Sequence, residues 1–375
     1  MENSVSDSQS RLSPLDDVHV AAGAAFTDFA GWKMPVRYGS DLAEHETVRT
    51  AAGLFDLSHM AEFLVGGTHA AAFLDYALAG QASAITPGRA KYSLLLAEDG
   101  GILDDLVVYR LDDERFWVVA NAANHDIVAA ALAERRADFD VAVTDETDRS
   151  ALCAVQGPRS LEVLSRLETI ILPDPRTLDG IPYYGIVEGR YGDVRVLVAR
   201  TGYTGEDGFE LYLDAAAAPA LWNDLVAAGA VACGLAARDT LRLEAGMPLY
   251  GHELSTETQP VQAGIGRVVA LGKPGDFVGR AAVESGPPEG ARVLVGLTAE
   301  GKRAGRAGYP VLRDGVPVGE VTSGALSPTL GIPIAMAYVD PDAAEIGTDL
   351  ALDVRGTAIP ARVVPLPFYS RKALS

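Results

Sequence analysis

The pattern of predicted elements changes at residues 284–290, and this change constrains the fold more than any other feature of the chain. The segment reads Glu-Ser-Gly-Pro-Pro-Glu-Gly, which is typical of a linker. Beyond it, short apolar runs recur at close spacing, and Asp314-Gly315 between two of them is a strong hairpin-turn signal. This spacing predicts a small β-barrel or β-sandwich over residues 291–375.

Residues 13–283 mix helical and strand patterns without the regular alternation of βαβ units. The apolar spacing predicts helices at residues 41–52, 69–79, 123–135, 215–228 and 234–245, and strands at residues 92–96, 102–109, 116–120, 194–200 and 209–213. The pattern argues against a parallel doubly wound sheet and predicts an α+β body with a β-rich C-terminal domain. The polar, Ser-rich residues 1–12 are predicted to be a disordered tail.

Two adjacent acids, Asp104 and Asp105, interrupt an otherwise apolar strand pattern. Asp is depleted in strands because its short carboxylate competes for backbone hydrogen bonds and loses hydration when half buried. Alternate side chains of a strand point to opposite faces. Asp104 is therefore predicted on one face, and Asp105 on the other with Leu103, Val107 and Tyr109. The two acids cannot form a catalytic dyad if the strand is regular, and at most one of them points into a pocket.

Composition limits the class of protein. The 375 residues carry a net charge of −20, so a nucleic-acid partner is not expected, and an anionic ligand would need local arginines or backbone N–H groups. The two cysteines, Cys153 and Cys233, have neither zinc-ligand nor disulfide spacing, so no metal is expected. The N-terminal residues lack the apolar core of a signal peptide, and no apolar run reaches about 18 residues. We therefore expect a cytoplasmic enzyme without a membrane segment.

Residues 200–213 read Arg-Thr-Gly-Tyr-Thr-Gly-Glu-Asp-Gly-Phe-Glu-Leu-Tyr-Leu, a Gly-rich turn followed by a strand. Because no helix follows the glycines, the segment fails the context test for a nucleotide-binding loop and is better interpreted as a tight turn. On the strand, Glu210 and Tyr212 share one face. A glutamate at such a position usually faces solvent, and a place in a pocket is the alternative.

A predicted helix puts Arg238 and Arg242 on one face by their i,i+4 spacing. A salt-bridged surface helix is the more common outcome for such residues. Two arginines on one face would also suit a carboxylate-bearing ligand, since Arg binds carboxylates bidentately. No nucleophile or partner acid is evident for the histidines, which are more simply interpreted as structural residues with satisfied hydrogen bonds: His45, His59 and His252.

A resemblance to a known family rests on seven stretches of the chain. They read Asp-Phe-Ala-Gly-Trp-Lys-Met-Pro at residues 28–35, Gly-Leu-Phe-Asp-Leu-Ser-His-Met at 53–60, Gly-Gly-Ile-Leu-Asp-Asp-Leu-Val-Val-Tyr at 100–109, Val-Val-Ala-Asn-Ala-Ala-Asn at 118–124, the two segments at 200–213 and 234–250, and Ser-Gly-Ala-Leu-Ser-Pro-Thr-Leu-Gly at 323–331. With these stretches in order from residue 13 onward, the chain resembles the aminomethyltransferase (T-protein) family of the glycine cleavage system.

The resemblance implies a fold and a reaction. The implied fold is a folate-binding body of two intertwined α+β subdomains over residues 13–283, with a C-terminal β-barrel or jelly-roll-like domain over residues 291–375, in a three-lobed cloverleaf. The implied enzyme takes the aminomethyl group from the lipoyl arm of H-protein and passes the one-carbon unit to tetrahydrofolate. The products are 5,10-methylenetetrahydrofolate, ammonia and dihydrolipoyl H-protein.

The resemblance also implies site residues. Asp105 matches the family's catalytic aspartate, near N5 and N10 of the folate, and Glu210 matches the carboxylate that accepts hydrogen bonds from the pterin edge. Arg238 matches the arginine near the folate tail and the entry for the lipoyl arm. The other implied folate-binding positions, the last of them matching only loosely, are Tyr92, Val107, Asn121, Met60, Tyr183, Tyr203, Asp239, Tyr250 and Arg371.

Two positions depart from the family pattern, and alternatives stay open. Arg267 stands where the family commonly has Trp, and Gln262 where it has an acid; Arg267 either adds positive charge near the folate tail or is simply exposed. A folate-dependent demethylase of a small methylated amine or sulfonium compound is the alternative with the same fold. Folate proteins that assist iron–sulfur assembly or RNA modification carry a Lys-Gly-Cys-Tyr type signature, whereas this chain has Arg-Thr-Gly-Tyr at residues 200–203. Dehydrogenases fused to an FAD domain would need a G-x-G-x-x-G unit, which the sequence lacks.

Overall fold

A computed structural model describes residues 10–136 and 139–371. Its strands are β1 Arg11–Leu12, β2 Ala25–Phe29, β3 Trp32–Arg37, β4 Gly53–Asp56, β5 Ala61–Gly66, β6 Arg89–Leu96, β7 Ile102–Arg110, β8 Arg115–Ala120, β9 Ala142–Asp145, β10 Ser150–Gln156, β11 Ile170–Ile171, β12 Ile186–Tyr191, β13 Val194–Ala199, β14 Gly208–Asp214, β15 Val231–Ala232, β16 Val293–Ala299, β17 Pro310–Arg313, β18 Val316–Leu326, β19 Pro333–Val339, β20 Asp349–Val354 and β21 Thr357–Val364. Its helices are α1 Asp16–Ala21, α2 Asp41–Thr50, α3 Ala70–Ala77, α4 His125–Arg135, α5 Ser160–Leu164, α6 Ala218–Ala227, α7 Leu235–Glu244 and α8 Arg280–Ser285. Within these residues, no helix has the length and apolar character needed to span a membrane.

Two antiparallel-rich sheets form the body, which confirms the predicted α+β class. One has the strand order β6-β7-β8-β5-β9, and the other has the order β11-β12-β13-β14-β10-β4-β15. Phe73 of α3 and Leu132 of α4 pack on the outer face of the first sheet, and Trp222 of α6 packs on the outer face of the second. The inner faces meet in a third apolar cluster that includes Tyr109 of β7 and Tyr212 of β14. Residues on these inner faces are therefore close in space although distant in sequence.

Strand β7 carries the two adjacent acids and is an interior strand of the first sheet, paired with β6 and β8. Asp105 pairs with Leu94 and Asp104 with Leu95, but the register then shifts between Leu95 and Leu96, where a bulge leaves Leu103 without a partner on β6. Leu103 therefore packs with the outer cluster, and the prediction that it shares a face with Asp105 is wrong. Val107 and Tyr109 belong to the inner cluster, as the alternation predicts.

The C-terminal strands form a closed barrel with the order β16-β19-β18-β17-β20-β21. Asp314 and Gly315 join β17 to β18 with φ values of 53° and 80°, the left-handed conformations that a two-residue hairpin turn requires. Alternate residues fill the barrel interior, among them Leu297 and Val311. The predicted hairpin and barrel are thus confirmed, whereas the predicted linker starts inside α8, which ends at Ser285.

Helix α7 joins the body to the barrel. Gly246 follows its last turn with φ 64°, the left-handed conformation that glycine readily adopts just after a helix. Glu244 accepts hydrogen bonds from the Ser327 hydroxyl at 2.5 Å and the Thr329 backbone N–H at 3.0 Å, both in the barrel domain. Arg49 of α2 forms an ion pair with the same carboxylate at 2.7 Å. These buried contacts fix α7 between α2 and the barrel.

The N-terminal segment departs from its prediction. Residues 1–9 of the predicted disordered tail lie outside the described residues. At residues 11–12 the prediction is wrong, because Arg11 and Leu12 form β1, which pairs in parallel with β3 in a small sheet of order β1-β3-β2. The Arg11 guanidinium also lies 4.0 Å from the centre of the Trp32 ring, which adds a cation–π contact to the backbone pairing.

Candidate active site

A cavity of about 790 Å³ opens between the inner faces of the two body sheets and α7. The chain segment that follows α7 closes one side of it. Most of the predicted site residues lie on its wall: Met60, Tyr92, Asp105, Val107, Asn121, Tyr203, Glu210, Arg238, Asp239 and Tyr250. Tyr183 and Arg371 are not among the lining residues.

Asp105 reaches the cavity from the middle of β7. The Tyr92 hydroxyl on β6 donates to its Oδ2 at 2.9 Å, and Asn121 Nδ2 donates to its Oδ1 at 2.8 Å. Burial raises the pKa of Asp105 to about 6, and the hydrogen bonds from these two neutral donors limit the rise. At neutral pH the carboxylate is therefore mostly ionised, poorly hydrated and fixed in orientation.

Asp104 lies on the opposite face of β7 and is completely buried. Its Oδ2 accepts from the Asn121 backbone N–H at 3.0 Å, and its Oδ1 accepts from the side-chain amides of Asn121 at 2.8 Å and Asn124 at 2.6 Å. Burial, together with the nearby charge of Asp105, raises the pKa of Asp104 to about 7. Only one of the two acids lines the cavity, as predicted, but Asn121 links them, which the sequence did not indicate.

Glu210 lies on the inner face of β14 and is nearly buried, so the solvent-facing interpretation is wrong. Three hydroxyl groups donate to its Oε2: those of Thr201 at 2.5 Å, Tyr109 at 3.1 Å and Tyr212 at 3.2 Å. No described residue donates a hydrogen bond to Oε1. One oxygen of the carboxylate is therefore fixed by the protein, and the other is available to a ligand.

Arg238 presents an unpaired guanidinium to the cavity from α7. The group lies 4.8 Å from the centre of the Tyr203 ring, and its buried Nη1 has no acceptor among the described residues. Burial lowers the pKa of Arg238, although Arg keeps its charge at neutral pH. Because a buried donor without an acceptor costs free energy, an anionic or carbonyl group of a ligand would be stabilised here.

Arg242 does not share that role. Its guanidinium forms ion pairs with Glu253 at 3.0 Å and Asp239 at 2.8 Å, and it donates to the Ser323 hydroxyl of the barrel at 2.8 Å. The hypothesis that both arginines of this helix face one ligand carboxylate is therefore wrong. Arg242 holds α7 against the barrel and leaves Arg238 as the ligand-facing arginine of the pair.

Tyr183 and Arg371 lie together outside the cavity wall. Tyr183 is half exposed, and the Arg371 guanidinium lies 5.5 Å from the centre of its ring and 3.4 Å from the Asp207 carboxylate. The neighbouring Tyr184 lines the cavity instead, from a backbone conformation with φ 59°. Nothing in the sequence distinguishes the two tyrosines, since the left-handed conformation at residue 184 decides which one turns inward.

His59 lies on the cavity wall, whereas His45 does not. Neither ring nitrogen of His59 has a hydrogen-bond partner among the described residues, and its Nδ1 is fully buried beside Phe29. Burial lowers the pKa of His59 to about 4, so the ring is neutral at neutral pH. The prediction of a satisfied structural histidine is thus wrong for His59. It is confirmed for His45, which bonds Thr240 at 2.7 Å and Thr329 at 2.9 Å.

The two departures from the family pattern lie away from the cavity. Arg267 is exposed, and it is not a lining residue. Gln262 joins the body to the barrel, since its side-chain Nε2 donates to the Arg292 backbone carbonyl at 3.1 Å and its backbone carbonyl accepts from the Leu294 N–H at 2.8 Å. Both substitutions therefore leave the cavity wall unchanged.

Comparison with known proteins places this fold and cavity in one family. The GCVT N-terminal domain model matches residues 15–273, and the glycine cleavage T-protein C-terminal barrel domain model matches residues 292–370. The chain belongs to the glycine cleavage T-protein family.

Similar proteins span the whole chain. An aminomethyltransferase of Cutibacterium acnes is 58% identical, and the match covers 96% of this chain and 99% of that protein. An aminomethyltransferase of Streptomyces coelicolor is 54% identical, and the match covers 98% of this chain and 100% of that protein. The crystal structure of glycine cleavage system aminomethyltransferase T from Bartonella henselae superposes with a TM-score of 0.88 at 37% identity, covering 96% of this chain and 98% of that one.

Proposed function

We propose that this chain is the aminomethyltransferase of glycine cleavage. It transfers the one-carbon unit of aminomethyl-dihydrolipoyl H-protein to tetrahydrofolate, and it forms 5,10-methylenetetrahydrofolate, ammonia and dihydrolipoyl H-protein. Two C–N bonds form, at N5 and N10 of the folate, while the C–S and C–N bonds of the aminomethyl group break. The two protons lost from N5 and N10 end on the lipoyl sulfur and on ammonia, so no oxidant or reductant is needed.

The observation that carries this proposal is the available Oε1 of Glu210. A reduced pterin presents a ring N–H and an exocyclic amino group side by side, and both are donors that an ionised carboxylate oxygen with free lone pairs accepts. The cavity also supplies a partner for the opposite end of folate. The unpaired Nη1 of Arg238 suits the carboxylate or carbonyl groups of the folate tail.

Asp105 performs the central task in this proposal. Its ionised carboxylate orients N5 and stabilises the positive charge that develops as N5 attacks the methylene carbon. Such stabilisation is stronger in a cavity that excludes water, because the carboxylate is already oriented and needs no reorganisation. Tyr92 and Asn121 supply that orientation through one hydrogen bond to each carboxylate oxygen.

Three further assignments belong to this proposal. Lipoylated H-protein is the macromolecular partner, since it presents the aminomethyl group. The division into residues 13–283 and 291–375 is proposed from the linker composition and from the closed barrel beyond it. A cytoplasmic location is proposed because the reaction draws on folate and H-protein instead of a membrane substrate.

The proposal is tested by supplying purified aminomethyl-dihydrolipoyl H-protein and following ammonia with and without tetrahydrofolate. We expect rapid ammonia release that depends on folate, with methylenetetrahydrofolate formed in equal amount. Ammonia release that gains nothing from folate would contradict the proposal. Turnover of a small methylated amine with folate, without activity on H-protein, would support the demethylase alternative instead.

A further inference from the structure

Asp104 is a buried carboxylate that the proposed reaction does not use. It is 0% exposed, and no Lys, Arg or His in residues 10–136 or 139–371 forms an ion pair with it. Burying an ionisable carboxyl group costs free energy unless donors compensate it. All of its hydrogen-bond donors among the described residues come from Asn121 and Asn124, which follow β8. The Asp104 carboxylate therefore binds a single short segment of the chain, the one that contains Asn121 and Asn124.

Asn121 is held at two points by Asp104. Its backbone N–H donates to Oδ2 at 3.0 Å, and its side-chain Nδ2 donates to Oδ1 at 2.8 Å. The same Nδ2 lies 2.8 Å from Asp105 Oδ1. An amide group has two N–H hydrogens, so one is donated to Asp104 and the other to Asp105, whose backbone carbonyl oxygen also lies 3.1 Å from Nδ2. Rotation of this amide by half a turn would place its carbonyl oxygen against two carboxylates, and Asp104 therefore fixes which end of the Asn121 amide faces Asp105.

We propose that Asp104 is a positioning residue, which fixes the Asn121 amide and through it the carboxylate of Asp105 at the reacting atoms. This inference rests on the proposed function, because Asp105 is the group whose orientation matters there. Removing the fixed amide leaves Asp105 with the single hydrogen bond from Tyr92. A misoriented carboxylate stabilises the transition state less while ground-state binding of folate is largely kept, so kcat falls more than KM rises.

The test is a double-mutant cycle with Asp104→Asn, Asn121→Ala and the combined variant. Because one hydrogen bond to a charged group contributes about 1.5 kcal/mol or more, Asp104→Asn is expected to lower kcat about tenfold. The KM for tetrahydrofolate should stay within about twofold, since the substituted residue does not line the cavity. In the Asn121→Ala background the same substitution should lower kcat by less than about twofold, because the side-chain amide that connects Asp104 to Asp105 is already absent.

A merely structural role gives different results. Equal kcat losses in both backgrounds, or a rise in KM with kcat unchanged, would overturn the inference. Asp104→Ala serves as a second variant, because it removes both acceptor oxygens, whereas the Asn side chain keeps one; a kcat loss at least as large as that of Asp104→Asn is expected, and wild-type kcat would count against the proposal. Asp113→Asn, an exposed acid in the turn after β7, is the matched control and should match wild type.

These experiments distinguish a failure of the inference on Asp104 from a failure of the proposed function. If the wild-type enzyme shows no folate-dependent ammonia release, the proposed function fails whatever the variants do. If the wild type is active and the two substitutions are additive, only the inference on Asp104 fails. Thermal melting of every variant reports whether a lost rate reflects a lost fold.

Discussion

Asp104 and Asp105 are identical in chemistry and adjacent in sequence, yet their surroundings give them different roles. Asp105 faces the cavity with one hydrogen bond from Tyr92 and one from Asn121. Asp104 faces away from the cavity and is saturated by amide donors. The pleat of one strand is enough to separate them, since successive side chains point to opposite faces.

Asp105→Asn should lower kcat by at least about hundredfold, because it removes the charge that stabilises the developing cation. Asp104→Asn should cost far less, since its carboxylate does not reach the cavity. Single-turnover formation of methylenetetrahydrofolate from loaded H-protein measures both. Equal losses in the two variants would contradict the assignment of faces on β7.

The pH dependence of kcat is expected to follow the ionisation of the Asp105 carboxylate. The pKa of Asp105 is raised by burial to about 6, and the ionised form is the active one, so kcat should fall as the pH drops through about 6. This acid limb should disappear from the residual activity of Asp105→Asn. A wild-type profile that is flat between pH 5 and 7 would count against the role of this group.

Glu210→Gln should chiefly weaken folate binding. Its amide places a donor where the pterin edge also donates, and a lost hydrogen bond to a charged group costs about 2 kcal/mol, or about thirtyfold in Kd. Calorimetric titration with tetrahydrofolate measures the change. Glu188→Gln on β12, a partly exposed glutamate of the same sheet, is the control. An unchanged Kd for the Glu210 variant would show that the pterin edge lies elsewhere.

The sequence predicts which way a side chain points where the alternation along a strand determines it. It does not predict this where an unusual backbone conformation determines it. Alternation brought Tyr109 to the face of Asp105 and Tyr212 to the face of Glu210, and both hydroxyls contact Glu210. The positive φ of Tyr184 has no sequence signal, and the family resemblance pointed to Tyr183 instead. The link through Asn121 requires the segment after β8 to fold back on β7, which periodicity does not reveal.

At the scale of elements, α7 connects the cavity to the rest of the molecule. One side of the helix presents Arg238 to the cavity, and its buried Arg242 and Glu244 bind the barrel. Arg49 of α2 contacts the same glutamate and also forms an ion pair with Glu206 at 2.9 Å. The helix is therefore rigidly placed, which keeps the ligand-facing guanidinium in position although no residue in the described part of the chain pairs with it.

Acid should weaken this anchoring. Burial opposes ionisation of Glu244, but hydrogen bonds from His45, Ser327 and Arg49 outweigh it and lower the pKa from 4.5 to about 2. Ionised Glu244 therefore stabilises the folded state above pH 4.5, and this contribution is lost as the pH falls towards about 2. The shift corresponds to about 3 kcal/mol of unfolding free energy.

Glu244→Gln should therefore lower the unfolding free energy by about 3 kcal/mol at pH 7 and by much less at pH about 3. Urea denaturation at the two pH values measures the difference. Glu46→Gln, at an exposed position of α2, should change neither value appreciably. A loss of equal size at both pH values would contradict the assignment of the pH dependence to this carboxylate.

At the scale of the whole molecule, the barrel and the mixed body follow from short-range patterns. Hairpin turns and closely spaced strands predict the barrel because they depend on adjacent residues, such as Asp314 and Gly315. The way the two body sheets meet is not local, since β7 and β14 are about a hundred residues apart in the chain and share an apolar cluster. The family resemblance, and not the periodicity, supplied that part of the fold.

A crystal structure of the protein with tetrahydrofolate bound would show whether this cavity is the folate site. We expect the pterin edge within hydrogen-bond distance of Glu210 Oε1, N5 beside the Asp105 carboxylate, and the tail directed towards Arg238. Folate bound outside this cavity at saturating concentration, or bound in it with N5 remote from Asp105, would show that Asp105 is not the group that orients N5.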